Sequence, residues 1–344
     1  MLDFASDETH LLLNPRLPPE ERERLERLYA AAPALGAHVW LSTSGTTGSL
    51  KLVALSKHAI LASAAAVNRH LDASPRDVWC CVLPTFHVGG LGIHARASLS
   101  GARIVSASWD PQSFISLCDA ERVTLASLVP AQVRDLRGFR PPATLRAIVV
   151  GGGALPPQLQ DFGWPLLPSY GMTETASQIA TATLGSPELV LLDHIEARID
   201  DGSIAVRGES LLTGYATDEG FHDPKRDGWF LTPDLGSVEG RILRVAGRSG
   251  EFVKIGGESV DLGRLDRILA EIEPDAAVVA APDERLGFVI HLAVAAGDFA
   301  QITAAFNERV LPFERIRAVH RIDAIPRTPL GKLRRSELAR RLGI

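Results

Sequence analysis

The stretch Thr43-Ser44-Gly45-Thr46-Thr47-Gly48-Ser49-Leu50-Lys51 follows directly on the apolar run His38 to Leu41. Its two glycines let the backbone turn tightly, so that consecutive N–H groups can point at one anion, while the hydroxyls add donors and the lysine adds charge. The string reads as a phosphate-gripping loop. A Ser/Thr/Gly run standing alone is more often a plain surface turn. It is not a Walker A loop, which would need glycine at position 50 and Ser or Thr at position 52, where the chain has Leu50 and Leu52. Six further strings carry chemistry-bearing residues: Pro84-Thr85-Phe86-His87, Gly151-Gly152-Gly153, Tyr170-Gly171-Met172-Thr173-Glu174, Thr232-Pro233-Asp234, Gly247-Arg248 and Gly331-Lys332.

These strings punctuate a regular pattern of elements. Before residue 38 the sequence is polar with a helical period, Glu20, Glu21, Glu23 and Glu26 interleaved with Arg22, Arg24 and Arg27 behind Pro18 and Pro19, as in a surface helix leading into the first strand. Apolar strand-like runs follow at 38–41, 78–83, 103–105, 125–129 and 145–150, separated by segments of helical period such as 58–71 and 111–121. Alternation of this kind predicts an α/β fold of mostly parallel sheets with helices on their faces. After residue 185 the texture changes to short strands and turns, with 195–199, an Asp-Asp-Gly turn at 200–202, 203–206 and 242–245 predicting a small β-rich subdomain. Beyond Gly247, a helix at 262–272, strands at 277–281 and 289–295, a helix at 299–310 and a basic tail predict a compact α+β domain. The expected organisation is a large N-terminal domain over residues 1–247 and a C-terminal domain over 248–344.

With 344 residues, 46% of them hydrophobic and 22% charged, the chain is long enough for roughly two domains with buried cores. Disorder, collagen and coiled coil are excluded. The net charge of −5, from 36 basic and 41 acidic residues, provides no dense basic surface, so neither nucleic acid nor a membrane is expected as a partner. The basic stretch Lys332 to Arg341 alternates with Leu333 and Leu338 and reads as a solvated C-terminal helix. Cys80, Cys81 and Cys118 are odd in number and form no CxxC pair, which predicts neither a disulfide framework nor a zinc site and fits a reducing cytosol. The start MLDFASDETH is acidic where a signal peptide is basic, and no apolar run reaches about 18 residues. A cytoplasmic protein, neither exported nor membrane-spanning, is the expectation.

Taken in order, the seven strings resemble the motifs of the adenylate-forming enzymes, the superfamily of acyl-CoA synthetases, adenylation domains and luciferases. The resemblance runs from about residue 40 to the C-terminus. Each string is weak alone; seven in order are very hard to obtain by chance. More finely, LPTFHVGGLGI at 83–93, SLVPAQ at 127–132 and YGMTETASQIAT at 170–181 resemble the o-succinylbenzoate-CoA ligases of menaquinone biosynthesis more than fatty-acyl or acetyl-CoA synthetases. The resemblance implies a mobile C-terminal domain, ATP, Mg²⁺ and CoA, and a small-molecule carboxylic acid substrate. It also implies two steps, acyl-adenylate plus pyrophosphate and then CoA thioester plus AMP, with o-succinylbenzoyl-CoA as the product. Competing readings are another aryl- or acyl-CoA ligase, an adenylating enzyme that loads a carrier protein, and a non-catalytic nucleotide-binding relative. The presence of Lys51, Glu174, Asp234, Arg248 and Lys332 argues against the last.

Residue roles follow from the resemblance. Driving a carboxylate oxygen onto the α-phosphorus while pyrophosphate leaves requires the triphosphate charge to be neutralised and held in line. Thr43, Ser44, Gly45, Thr46, Thr47, Gly48 and Lys51 would hold the β- and γ-phosphates. Glu174, directly after an expected turn over Tyr170, Gly171, Met172 and Thr173, would offer Mg²⁺ a hard oxygen. Gly151, Gly152 and Gly153 follow the buried run 147–150 and would let a flat base lie against the backbone, with Tyr170 stacked on the adenine; a tight strand-to-helix turn is an equal geometric reading. Asp234 would accept from the ribose cis-diol, with Pro233 standing where the family carries glycine. Arg248 would grip ribose or phosphate near the hinge, where Gly250 replaces the family's Asp or Lys. Lys332 would touch the carboxylate and α-phosphate in the transition state of the first step. His87, which alone would read as a core histidine, would line the acyl pocket and the thiol's path.

o-Succinylbenzoate carries a second carboxylate that stays unactivated and must not be buried unpaired. Arg96, nine residues past His87, is the charged candidate, with Ser127 and Ser177 as neutral ones; for Arg96 a structural ion pair is an equal reading. Only 42 residues precede the loop, where most of the superfamily carries a longer N-terminal lobe. The expectation is either a naturally short form or a second subunit that completes the acyl pocket, which would make a homodimer.

Overall fold

The computed structural model describes residues 2–44, 50–155, 159–160, 163–248, 252–255, 258–328 and 331–344. The chain divides into two compact units, one of Met1–Asp200, Ala205–Leu231 and Ser237–Arg244, the other of Asp201–Ile204, Thr232–Gly236 and Val245–Ile344.

The first unit opens with β1 (His10–Leu12), α1 (Pro19–Ala31), β2 (His38–Ser44) and β3 (Leu50–Ser56). A strand–helix alternation follows: α2 (Lys57–Leu71), β4 (Val78–Cys81), α3 (Val88–Ser100), β5 (Arg103–Ser106), α4 (Pro111–Ala120), β6 (Leu125–Leu128), α5 (Pro130–Asp135), β7 (Ala147–Val150) and β8 (Leu166–Met172). Short polar signals start the helices. The Ser56 hydroxyl accepts from Ala59 N–H at the head of α2, and Asp110 accepts from Ser113 N–H ahead of Pro111 in α4. Strands β5, β4, β6, β7 and β8 pair in that order and in parallel. All four residues of β6 and of β7 are buried, which is why they read as unbroken apolar runs. One face packs Phe114, Cys118, Val133 and Leu136 against Cys80, Ala126, Ile148 and Val150. The other packs Val67, Leu71, Ile93 and Ala97 against Trp79, Leu125 and Val149.

The parallel order then changes. β9 (Ser177–Thr183) returns antiparallel to β8, and β10 (Ser186–Leu191) antiparallel to β9, because connections this short cannot make the crossover that a parallel neighbour needs. The segment after residue 191 contains β11 (Ile195–Asp200), β12 (Ser203–Gly208), β13 (Gly214–Thr217), β14 (Gly220–His222), β15 (Phe230–Glu239) and β16 (Ile242–Arg248), the β-rich texture expected there. β13 and β14 join a second sheet in the order β1-β2-β3-β13-β14.

In the second unit, β17 (Phe252–Ile255), β18 (Glu258–Asp261), α6 (Leu262–Ala270), β19 (Ala276–Asp283), β20 (Gly287–Val294), α7 (Phe299–Asn307), β21 (Ile316–Arg321) and α8 (Arg335–Leu342) give the expected α+β content. Leu265 and Leu269 of α6 and Ile302 and Phe306 of α7 cover one face of the β19–β20 pair at Val278, Ile290 and Leu292. Leu338 of α8 covers the other at Ala277, Val279 and Ala293. Among the described residues no helix is long and apolar enough to cross a membrane.

Between β10 and β11, both ring nitrogens of His194 are buried without a hydrogen-bond partner. Burial pushes this imidazole down to about 4, Asp193 opposing and Arg69 adding to the shift. Between the unfolded value near 6.5 and about 4, the unfolded chain binds a proton that the native chain does not, so stability falls as pH drops through that window. From pH 7 to pH 5 His194 should remove about 2 kcal/mol of unfolding free energy. Urea unfolding across that range should show this loss, and His194→Leu should flatten it; an unchanged slope in the variant would rule the assignment out.

Candidate active site

Ligand sites of parallel α/β sheets lie outside the carboxyl ends of the strands, and the strings singled out above collect there: Pro84–His87 after β4, Gly151–Gly153 after β7, Tyr170–Met172 closing β8. Strands β2 and β3 form a hairpin in which Thr43 faces Lys51. Gly45, Thr46, Thr47 and Gly48 lie outside the described residues, as does the side chain of Ser44. The turn expected at Tyr170–Thr173 is displaced along the chain. Pairing of β8 with β9 continues to Met172 opposite Ser177, and the reversal is a single 3₁₀ turn, Thr173–Thr175. Gly171 permits that close return, since a Cβ there would sit 2.0 Å from the Ser177 carbonyl oxygen. The Thr175 hydroxyl accepts from Met172 N–H and donates to the Ser177 carbonyl, fixing the turn.

Glu174 projects from this turn toward β3 and β13. Its Oε1 accepts from the Tyr215 hydroxyl at 2.8 Å and lies 3.6 Å from Lys51 Nζ, which itself sits 3.3 Å from the Tyr215 ring centroid. β13 pairs with β3 so that Tyr215 is opposite Val53, two residues from Lys51. The carboxylate, ammonium and phenol are mostly sheltered, so their interactions are screened less than surface pairs. Tyr215 was not singled out in the sequence; it is a lone tyrosine in a strand more than 160 residues from Lys51, and only strand pairing joins them.

A second cluster surrounds Arg96 on α3. The side chain is 1% exposed. Its guanidinium donates to Ser127 Oγ at 3.4 Å, Ser177 Oγ at 3.0 Å and Gln178 Oε1 at 3.0 Å. The three candidates named for the second carboxylate thus come together at one point. Among the described residues no carboxylate pairs with Arg96, and Nε is buried without a partner, so the ion-pair reading has no support here. Burial pulls the guanidinium down to about 10, which leaves it charged at neutral pH. Gln178 was missed as a site residue. Its amide accepts from Arg96 and donates to Thr181 Oγ1, so the whole amide is oriented.

His87 occupies the position just before α3, its ring 4.7 Å from that of Phe86. Burial pushes its imidazole below the ordinary histidine value, favouring the neutral ring. The start of α3 presses on the preceding loop, since a Cβ on Gly90 would lie 2.3 Å from the Pro84 carbonyl oxygen. Gly152 adopts φ +80°, and a Cβ on Gly151 would come within 3.0 Å of Ser169 Oγ, so the tract is a tight turn close to its neighbours. Asp234, Arg248 and Lys332 belong to the second unit. The Asp234 N–H donates to Thr232 Oγ1, and Lys332 occupies a turn closed on Thr328. For Arg248 only the backbone, at the end of β16, is described.

Residues 11–216 match the family described as AMP-binding enzyme. The chain belongs to that family. It is 32% identical over 335 residues to a 2-succinylbenzoate–CoA ligase of Geobacillus kaustophilus, covering 87% of this chain and 68% of that protein. The o-succinylbenzoate CoA synthetase of Bacillus subtilis solved with the acyl-adenylate intermediate superposes with a TM-score of 0.79, at 26% identity over 87% of this chain and 68% of the other. The same enzyme solved with ATP and magnesium ion gives a TM-score of 0.78 at 27% identity, over 87% and 69%.

Among the described residues no group of three or more His, Cys, Asp and Glu converges as a metal cage. A single sheltered carboxylate, Glu174, suits Mg²⁺ that arrives on nucleotide phosphates with most of its ligands already in place. Tyr215→Phe removes the hydrogen bond that aims this carboxylate. A charge-assisted hydrogen bond contributes about 1.5–3 kcal/mol, so kcat/KM for Mg·ATP should fall roughly tenfold or more with the fold intact by melting temperature. An unaltered kcat/KM would show that Tyr215 does not orient Glu174.

Proposed function

We infer that this protein is an ATP-dependent, AMP-forming acid–CoA ligase that converts o-succinylbenzoate to o-succinylbenzoyl-CoA. In the first step a carboxylate oxygen of the acid attacks the α-phosphorus of ATP and pyrophosphate leaves. In the second the CoA sulfur attacks the acyl carbonyl and AMP leaves. The observation that carries the substrate assignment is the buried Arg96 guanidinium, held by Ser127, Ser177 and Gln178 with no carboxylate partner among the described residues. A hydroxyl that accepts from a cation is polarised to donate onward, so Ser127 and Ser177 are suited to present that positive charge to the substrate's second carboxylate.

The remaining roles are proposed on the same footing. The 43–48 loop and Lys51 hold the β- and γ-phosphates, and Glu174 takes the Mg²⁺ that screens them. Lys51 and Glu174 neutralise each other until charged ligand arrives, so neither is left as an isolated buried charge. The neutral His87 ring borders the acyl group and the path of the thiol. Gly151, Gly152, Gly153 and Tyr170 receive the adenine, Asp234 and Arg248 the ribose and phosphate. Lys332 stabilises the charge developing in adenylation alone. ATP and CoA as co-substrates, with Cys80, Cys81 and Cys118 free and buried, support a cytoplasmic location.

Pyrophosphate release should require o-succinylbenzoate, with benzoate, a medium-chain fatty acid and no acid all silent, and a thioester should appear when CoA is added. Release with a fatty acid but not with o-succinylbenzoate would overturn the substrate, and silence with every acid would overturn the activity. Arg96→Gln should raise KM for o-succinylbenzoate about 100-fold, the effect of taking one partner from a buried charge pair. Lys332→Ala should slow adenylation roughly 100-fold or more while sparing thioester formation from preformed adenylate. Equal damage to both steps would remove Lys332 from its role.

A further inference from the structure

The turn that bears Lys332 is fastened to the sheet of the second unit on both sides. Within the turn, Thr328 N–H donates to the Lys332 carbonyl at 2.7 Å, and Lys332 N–H returns to the Thr328 hydroxyl at 3.1 Å. Arg327 bridges to Leu333 across it, and Arg334 N–H donates to the Pro326 carbonyl. These contacts shape the turn without saying where it is held. That is decided by two guanidinium groups, five residues before the lysine and three after it.

Arg327 donates from one nitrogen to the Gly331 carbonyl at 3.3 Å, the peptide joined to Lys332. Its other terminal nitrogen donates to the carbonyls of Pro274 at 3.2 Å and Ala276 at 3.3 Å. Arg335 donates to the Val278 carbonyl and to Asp266 Oδ2. Asp266 Oδ1 in turn accepts from Val278 N–H at 2.9 Å. The acceptors 274, 276 and 278 alternate for a reason. The Asp275 carbonyl accepts from Ala295 N–H, so odd positions face β20 and even ones face away from it. Among the described residues β19 pairs only with β20, and its other edge would expose a row of unmet backbone groups. The two arginines and Asp266 occupy that row.

We propose that Arg327 and Arg335, the latter held by Asp266, are positioning residues for Lys332, tying both legs of its turn to the open edge of β19. The proposal rests on the adenylation role given to Lys332 above. A lysine side chain has four flexible carbons, and an ammonium must meet developing charge within a fraction of an ångström to act on it. Fixing the backbone on both sides of the lysine makes the turn part of the rigid sheet. Burial pushes the Asp266 carboxyl up, while Arg335 and the Val278 amide favour its charged form, so this anchor depends on the arginine in return.

The test uses the full chain with Arg327→Gln, Arg327→Lys, Asp266→Asn, Lys332→Ala and the double variant Arg327→Gln/Lys332→Ala. Adenylation is followed by pyrophosphate release, thioester formation by CoA addition to preformed acyl-adenylate, and folding by melting temperature. Arg327→Gln and Asp266→Asn should each lower kcat of adenylation roughly 10- to 100-fold, with KM for ATP and the thioester step within about twofold of wild type. Arg327→Lys, which cannot span three carbonyls, should rescue only partly. In the double variant Arg327→Gln should add nothing to Lys332→Ala, because the arginine acts through the lysine. An additive loss, or a parallel fall of both steps with melting temperature, would overturn the positioning role. Lys332→Ala slow with Arg327→Gln at the wild-type rate would overturn this proposal alone. Lys332→Ala with normal adenylation would overturn the role of the lysine and this proposal with it.

Discussion

A guanidinium cannot shed its proton in a protein interior, so a buried arginine must be neutralised, hydrated or matched to a ligand. Among the described residues Arg96 is buried among neutral acceptors, two hydroxyls and an amide, and around it the architecture of the first unit becomes intelligible. α3 supplies the arginine, β6 supplies Ser127, and the start of β9 supplies Ser177 and Gln178. Helix α3 must therefore lie close over the strand ends. It does so with residues that are poor helix formers: a Cβ on Gly90 would strike the Pro84 carbonyl, and one on Gly92 would come within 3.1 Å of an Arg96 nitrogen. The helix loses propensity there and gains proximity.

A carboxylate in place of Gln178 would make the Arg96 site self-sufficient. The pair would be tighter, and the positive field leaving the site would largely vanish. With an amide, Arg96 is hydrogen-bonded at its terminal nitrogens but not matched in charge, and the residual positive potential is available to an anionic ligand. The Lys51–Glu174 contact works in the opposite sense. In the roles proposed for them those two groups would serve different charges, phosphate and metal, and their pairing holds both side chains in place. Tyr215, donating to Glu174 and lying under Lys51, orders both members of the pair.

The parallel core was legible in the sequence because both faces of its strands are buried. The runs at 78–83, 125–129 and 145–150 became β4, β6 and β7, the first two trimmed by one to two residues at the carboxyl end and the third by two at the amino end. The helix at Val88–Ser100 was not read, since glycines at 89, 90 and 92 hide its period, and the strand at Leu50–Ser56 was hidden behind the loop that draws attention in the same stretch. The motif residues were identifiable one by one, and Arg96, Ser127 and Ser177 were named together on the argument that a second carboxylate needs donors. Their meeting was not legible, because it depends on the antiparallel return of β9. Ser177 has φ +130° and follows Ala176 at φ 51°, a conformation that nothing in Ala-Ser announces. Tyr215 and Gln178 escaped for a related reason: each acquires its role from the partner it meets across strands, not from its neighbours in sequence.

The two units solve the same physical problem by different means. In the first, charged side chains are carried by regular elements, Lys51 on β3, Glu174 on the tight turn between β8 and β9 and Arg96 on α3, so their positions follow from strand pairing and helix packing. The lysine of the second unit has no strand of its own. It sits on a turn that bends at Gly331, φ +80°, a left-handed conformation that glycine enters and leaves without strain. Such a turn becomes definite only when lashed to something rigid, and the rigid object at hand is an edge strand with unmet carbonyls. Arginine fits that task better than lysine because one planar fork can reach several acceptors at once. The same bonds that close an otherwise sticky sheet edge therefore also define the place of Lys332, and a substitution chosen to improve one of these properties will disturb the other.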